Sequence, residues 1–354
     1  MSKVKTLSFA GETICVGLDA HKTNWKIHSR IGNIDLAAFC QDPDPWVLSN
    51  YFKKNYPGAK VKVVYEAGFC GFGIQRSLKR LGVECIVVNA ADVPSSDKER
   101  KRKDDKRDAR KLSRELSEGN LKAIYVPSVE MEQARSLIRQ RYRLVQDQTR
   151  CKNRIKHILM FNGIGLNKGK EHWSNRYIKA LEEVHCGSVA LREALNLAIE
   201  QYKQIRLIIK QAEQAIGKMA IQSPFAQVQQ YLQSIGGIGL INGMVIQTEI
   251  QDMHRFKTLS RLCDYAGFVP DMHSSNQRRI IKGITYRCNE FLRKAIIESS
   301  WMLIRHDPAM LMKYTEYRKR MSKNKAIIRI GKHLLGRIRH VWNNQKQYEN
   351  GIVM

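Results

Sequence analysis

The spacing of apolar positions changes period along this chain, and each change marks a new kind of structure. Between Thr13 and Arg30, TICVGLDAHKTNWKIHSR is an apolar run ending at Asp19, a polar turn, and a second run with Trp25 and Ile27 on alternate positions. A period of two predicts strands. Two more short apolar runs follow, VKVVYEA with Glu66 at its end and VECIVVN ending at Asn89, and between them Ile74, Leu78 and Leu81 recur at helical spacing. Strand, helix and strand in succession predict an α/β domain with a largely buried sheet, over residues 1–127.

From about Val129 the period is helical, with Leu137, Leu144, Ile155, Ile158 and Leu159 set among basic residues, and a break follows at Asn162 to Gly165. Then Leu191, Leu195, Ala198, Tyr202, Ile205, Ile209, Ala212, Ile216 and Met219 recur at alternating steps of four and three. That is a heptad seam. It predicts a helical or coiled-coil arm over 128–222 with a self-association face, the alternative being one long helix packed in a bundle. A third region, 223–316, is mostly helical, with a turn at Gly237-Ile238-Gly239 and a polar loop from Pro270 to Arg287. The remainder, 317–354, reads as a basic helical tail.

Charge narrows the function. The 354 residues hold 61 Lys and Arg against 33 Asp and Glu, a formal charge of +28. Such an excess points to a polyanion, and to nucleic acid ahead of an anionic membrane surface. With 43% hydrophobic residues the chain fills real cores, which excludes disorder for most of it. The eight cysteines are scattered without a Cys-x-x-Cys pair, so neither a zinc module nor a disulfide framework is expected. The start lacks an apolar signal core, and the long uncharged stretch after Lys218 is interrupted by Pro224. A cytoplasmic protein with no membrane partner is the expectation.

Four acids stand out within the basic background. Asp19 and Glu66 end predicted strands, and Asp105 and Asp108 share one face of a predicted helix start, in a stretch, residues 98–114, with ten cations and four acids. Carboxylates at the carboxyl ends of sheet strands commonly meet over one sheet edge. Four together need cations between them, and oxygen ligands suit Mg²⁺ or Mn²⁺. Taken singly, each acid also reads as a turn residue or as charge balance, and spacing does not decide between Asp104 and its neighbour.

The order Gly17-Leu18-Asp19-Ala20-His21-Lys22, Tyr65-Glu66-Ala67-Gly68 with Gly71 and Gly73, and Lys103-Asp104-Asp105-Lys106-Arg107-Asp108-Ala109 resembles the DEDD transposases of the bacterial insertion sequence 110 family, relatives of the Piv invertase. Farther on, Ser234-Ile235-Gly236-Gly237-Ile238-Gly239, Gly267-Phe268-Val269-Pro270 and Gly283-Ile284-Thr285-Tyr286-Arg287-Cys288-Asn289 with Leu292-Arg293 resemble that family's C-terminal transposase domain. The resemblance implies an α/β RuvC-like (ribonuclease-H-type) N-terminal domain with a Mg²⁺-binding tetrad of Asp19, Glu66, Asp105 and Asp108. It further implies that Ser275 is the nucleophile of a covalent serine–DNA intermediate. A homo-oligomer, dimer or tetramer, and a guide RNA encoded by the element are implied as partners. Asp104 stands where the family has Thr, and Asn276 where it has Gly.

Phosphate contacts are expected from Lys101, Arg102, Lys103 and Arg107 around the acids, from Arg141, Arg143, Arg150, Lys152 and Arg154 along the arm, and from Arg278 and Arg279 beside Ser275. The Gly237-Ile238-Gly239 turn resembles a helix–hairpin–helix, in which Gly237 and Gly239 permit close backbone approach to a phosphate; a plain helix connection is the alternative. The expected function is Mg²⁺-dependent DNA strand cleavage and exchange by an insertion-sequence transposase. Its rivals are a junction-resolving nuclease that uses water and a non-catalytic nucleic-acid-binding protein.

Overall fold

The computed structural model describes residues 8–94, 105–165, 172–275 and 278–350. The chain divides into two compact units, Met1–Val126 and Pro127–Met354.

In the first unit, β1 (Thr13–Ala20) lies at the centre of a five-stranded sheet. It pairs antiparallel with β2 (Trp25–Ile31) and parallel with β4 (Lys60–Glu66). β3 (Ile34–Gln41) and β5 (Glu84–Val88) complete the order β3-β2-β1-β4-β5. Ile14, Val16, Leu18, Val63 and Tyr65 face one side, where Leu48 and Phe52 of α1 (Pro45–Asn55) and Ile74 and Leu78 of α2 (Gly73–Arg80) close a core. On the other side Val64 and Val88 pack with Leu112 of α3 (Asp105–Ser117). The apolar runs read as strands are β1, β2, β4 and β5. β3 and α1 lie outside those runs: β3 is at the sheet edge with Ile34 exposed, and α1 is marked by its start, where Asp44 accepts from the Trp46 amide and Pro45 opens the first turn.

In the second unit, α4 (Val129–Phe161) and α6 (Val189–Ala220) run antiparallel. Ala134 and Ile138 meet Ile216 and Ala220 at one end, and Cys151, Ile155 and Leu159 meet Leu195, Ala198 and Tyr202 at the other. Tyr177 and Ile178 of α5 (Asn175–Glu183) close the far end. Ser128 and Ser188 cap the two long helices. The heptad seam is therefore filled from within one chain. This corrects the expectation of a self-association face along it: a seam buries against whichever apolar helix lies nearest, and the short chain through α5 brings α4 back first.

The rest of this unit is α7 (Ala226–Gln233), α8 (Leu240–Ile250), α9 (Leu259–Tyr265), a hairpin of β6 (Pro270–Ser275) and β7 (Arg278–Ile284), α10 (Glu290–His306), α11 (Pro308–Arg320) and α12 (Lys323–Asn344). The stretch expected to be a polar loop is mostly this antiparallel pair. Its first strand, PDMHSS, has no apolar face to announce it; the backbone ladder holds it instead. Ile327, Ile330, Leu334, Leu335, Ile338 and Val341 of α12 lie within the main core with Phe268, Leu292 and Leu303. The segment read as a basic tail is thus largely a core helix, with Lys323, Lys325 and Arg329 exposed on its outer face and Arg337 turned to buried Asp307. No described helix is long and apolar enough to cross a membrane.

Candidate carboxylate site and its surroundings

Two of the four acids are brought together by strand register. β1 and β4 pair with Leu18 opposite Tyr65, so Asp19 and Glu66 are the next residues along two adjacent parallel strands. Side chains two apart on a strand share a face. Asp19 therefore lies on the face of Gly17, and Glu66 on that of Val64, which packs against α3.

Gly17 sets where α3 sits. A Cβ built there would stand 2.0 Å from the Ala109 carbonyl oxygen and 2.6 Å from the Ser113 nitrogen. Only a residue without a side chain lets the helix backbone lie directly on β1. Ala109 and Leu112 are buried in that contact, and Asp108, next to Ala109, is half-buried at the same end of the sheet face. A second link pins the helix, for buried His28 of β2 shares a 2.7 Å hydrogen bond through Nδ1 with Ser113 Oγ. Although Asp35 Oδ1 lies 3.6 Å from His28 Nε2, Ser113 is wholly buried, so this arrangement is a lock and not a nucleophile site.

Asp19 is partly shielded, and its Oδ2 lies 2.9 Å from His21 Nε2. Glu66 is exposed at the end of β4. Asp105 is the first residue of α3, and its side chain lies outside the described residues. Lys101, Arg102, Lys103 and Asp104 lie outside them altogether, whereas Arg107 is exposed on α3. Among the described residues no three His, Cys, Asp or Glu side chains are grouped to hold a metal ion. The donors on this face are hard oxygens with one imidazole, the chemistry that a small divalent cation accepts.

In the second unit Ser275 ends β6 opposite Arg278, with Ser274 opposite Arg279. The backbone places these residues at the hairpin tip; their side chains, like Asn276, are outside the described residues. Gly237 has φ +99°, and a Cβ there would lie 2.6 Å from the Leu303 amide nitrogen and 2.7 Å from the Ser299 carbonyl. The close approach it permits is to α10. Gly239, at the start of α8, has open space around it. Along the arm, Arg141 pairs with Glu213 of α6 at 2.6 Å, Arg150 with Asp147 at 2.6 Å, and Arg154 with Gln201, while Lys152 lies over the rings of Trp173 and Tyr202. Arg143 is exposed on α4.

Sequence reasoning missed one feature of this unit. Glu249 of α8 is fully buried and held by Arg135 and Arg139 of α4 and by Asn289. Arginines and lysines spread along a basic helix give no sign of which ones have a buried partner; the signal was a lone acid, Glu249, closing an otherwise apolar and uncharged stretch.

The chain matches two family models. One, described as Transposase IS116/IS110/IS902 family, matches residues 229–315, and so contains the glycine turn and the Ser275 hairpin. The other, named for the DEDD transposases of IS110 and described as Transposase, matches residues 48–162, which include Glu66, Asp105 and Asp108. Among relatives, "Putative transposase y4qE" of Sinorhizobium fredii is 30% identical over 237 residues, 67% of this chain and 57% of that protein. The "Transposase for insertion sequence element IS1111A" of Coxiella burnetii is 25% identical over 58% of this chain and 56% of its own length. The "Transposase for insertion sequence element IS1533" of Leptospira borgpetersenii is 26% identical over 81% of this chain and 84% of its own length. The matched stretch thus spans little more than half of the first two relatives. An α/β unit with strand-end carboxylates, joined in one chain to a mostly helical unit, belongs here to the transposases of insertion sequences. The chain is a member of the IS116/IS110/IS902 family.

Proposed function

We propose that the protein is a transposase that cleaves and rejoins DNA strands through a serine–DNA intermediate. The observation that carries this is the seating of α3 on Gly17, beside the adjacent strand ends of Asp19 and Glu66. It directs an acidic helix start toward two acids in a chain whose net charge is +28.

Asp19, Glu66, Asp105 and Asp108 are the residues that would hold the divalent cation, Mg²⁺ or Mn²⁺. When bound, such an ion polarises a phosphoryl oxygen and stabilises developing charge on the leaving oxygen. His21, bonded to Asp19, orients that carboxylate. Ser275 attacks the scissile phosphorus; its Oγ–P bond forms as the bond to the sugar oxygen breaks, and the departing sugar hydroxyl takes up a proton as the serine gives one up. The phosphodiester is conserved for strand exchange. Exposed cations, Arg107 foremost among the described ones, hold the backbone near the acids. Family resemblance supports a guide RNA that carries sequence choice by base pairing, and an oligomeric assembly.

The test incubates the protein with its element's DNA ends, flanking RNA and Mg²⁺, and looks for a serine-linked DNA species. The adduct is expected in wild type and absent in Ser275→Ala, in Asp19→Asn and after chelation. Recombination that persists in Ser275→Ala would sink the serine mechanism and leave the carboxylates working with water.

A further inference from the structure

We infer that Glu249 is the positioning residue for the hairpin that bears Ser275, tying both roots of that hairpin to helix α4. The inference rests on the reading of Ser275 as nucleophile for its functional meaning, and on geometry for everything else.

The Glu249 carboxylate is excluded from water. Arg139 donates to both oxygens, from Nε to Oε1 at 2.9 Å and from a terminal nitrogen to Oε2 at 2.9 Å. Asn289 Nδ2 donates to Oε2 at 2.8 Å, and Arg135 Nε lies 3.5 Å from the same oxygen. Arg135 also donates to the Thr248 carbonyl, and the Arg139 guanidinium lies over the Phe291 ring, 4.6 Å from its centroid. Three helices, α4, α8 and α10, are thereby joined through one carboxylate.

Both roots of the hairpin lead to Glu249, the upstream one to its backbone carbonyl and the downstream one to its carboxylate. Upstream of β6, the Tyr265 hydroxyl donates to the Glu249 carbonyl at 3.0 Å. Downstream of β7, Asn289 reaches the carboxylate, gives its other amide hydrogen to the Tyr265 hydroxyl at 3.0 Å, and donates its backbone N–H to the Tyr265 carbonyl at 2.9 Å. Between these points the Thr285 amide bonds the Val269 carbonyl at 3.0 Å, and Arg293 bonds the Thr285 carbonyl. Gly267 leaves the space this needs, because a Cβ there would meet Arg293 and Cys288.

An apolar core would bury the same surface without fixing angles. Directional bonds to a planar carboxylate fix them, which is the best-attested use of a buried ionic group. Angle matters here because Ser275 stands at the tip of a strand about 20 Å long. A tilt of about 6° at the root carries the tip about 2 Å, and about 1 Å of misplacement costs a reacting group on the order of 100-fold.

The test uses full-length Glu249→Gln and, as a milder change, Asn289→Ser, whose hydroxyl still caps the Leu292 amide but cannot reach the carboxylate. Hydrogen exchange is followed at the hairpin, residues 270–284, and in α12, residues 330–341, as a core control. Alongside, single-turnover adduct formation and affinity for the element's DNA ends are measured. We expect hairpin exchange to rise about tenfold or more with α12 unchanged, and adduct formation to slow about 100-fold at a DNA affinity within about twofold of wild type. Hairpin exchange equal to wild type, or rising only in step with α12, overturns the inference. If wild type forms no serine adduct, the reading of Ser275 fails, and the exchange measurement alone then decides whether Glu249 positions the hairpin.

Discussion

At Gly17 the absence of a single methyl group decides where α3 lies. Gly17→Ala drives a Cβ into the Ala109 carbonyl, a contact with backbone that no side-chain rotation relieves. We expect a loss of about 1–3 kcal/mol or more in the first unit's stability, read by denaturant unfolding, together with loss of DNA cleavage. His28 makes a second prediction. Burial lowers its pKa from the usual 6.5, with Arg110 and Arg30 acting the same way and Asp35 opposing them. The unfolded chain then takes up the proton more readily than the folded one. His28's contribution is therefore complete above about pH 6.5 and lost as pH falls through the folded value. Unfolding at pH 7.5 and 5.5 should show stability falling on acidification, with a shallower fall in His28→Gln; an equal fall would refute this role. At this scale Asp19 and Glu66 were legible as strand-end acids, because a period of two ends where burial ends. The lock between His28 and Ser113 was not legible, since it joins residues 85 apart.

Among elements, the α4–α6 pair shows what a heptad pattern does and does not say. The seam positions Leu195, Ala198, Tyr202, Ile209 and Ile216 are buried as the spacing predicts, yet the partner is α4 of the same chain. Periodicity defines an apolar stripe and leaves its occupant open. Ile155→Ala, fully buried at the end of this contact nearest α5, should cost about 2–5 kcal/mol, while Leu197→Ala on the exposed face should change stability by less than about 0.5 kcal/mol, both measured by chemical denaturation. Equal effects would mean that the two helices do not pair in this register. The β6–β7 hairpin escaped the pattern for the opposite reason, as its first strand has a backbone ladder without an apolar stripe.

For the whole molecule, a charge of +28 remains the best guide to its partner, but much of the arm's share is already engaged. Arg135 and Arg139 hold Glu249, and Arg141 holds Glu213. The cations left for a polyanion are fewer than the composition suggests. If about six to ten phosphates are contacted, affinity for DNA should fall about 10³- to 10⁵-fold between about 50 and 200 mM salt. Anisotropy titrations across that range check it, and an affinity that barely responds to salt would remove the electrostatic argument.

From the sequence alone came most of the element types, the two strand-end acids, and the expectation of a polyanionic partner. These depend on local period and on composition, which a linear chain displays. Tertiary structure alone decided that α3 seats on Gly17, that the seam closes on α4, that α12 is core, and that Glu249 joins both roots of the Ser275 hairpin. Each of these depends on which faces meet in space. An apolar stripe or a buried charge states only that it needs a partner, and the partner is named by packing between residues far apart in the chain.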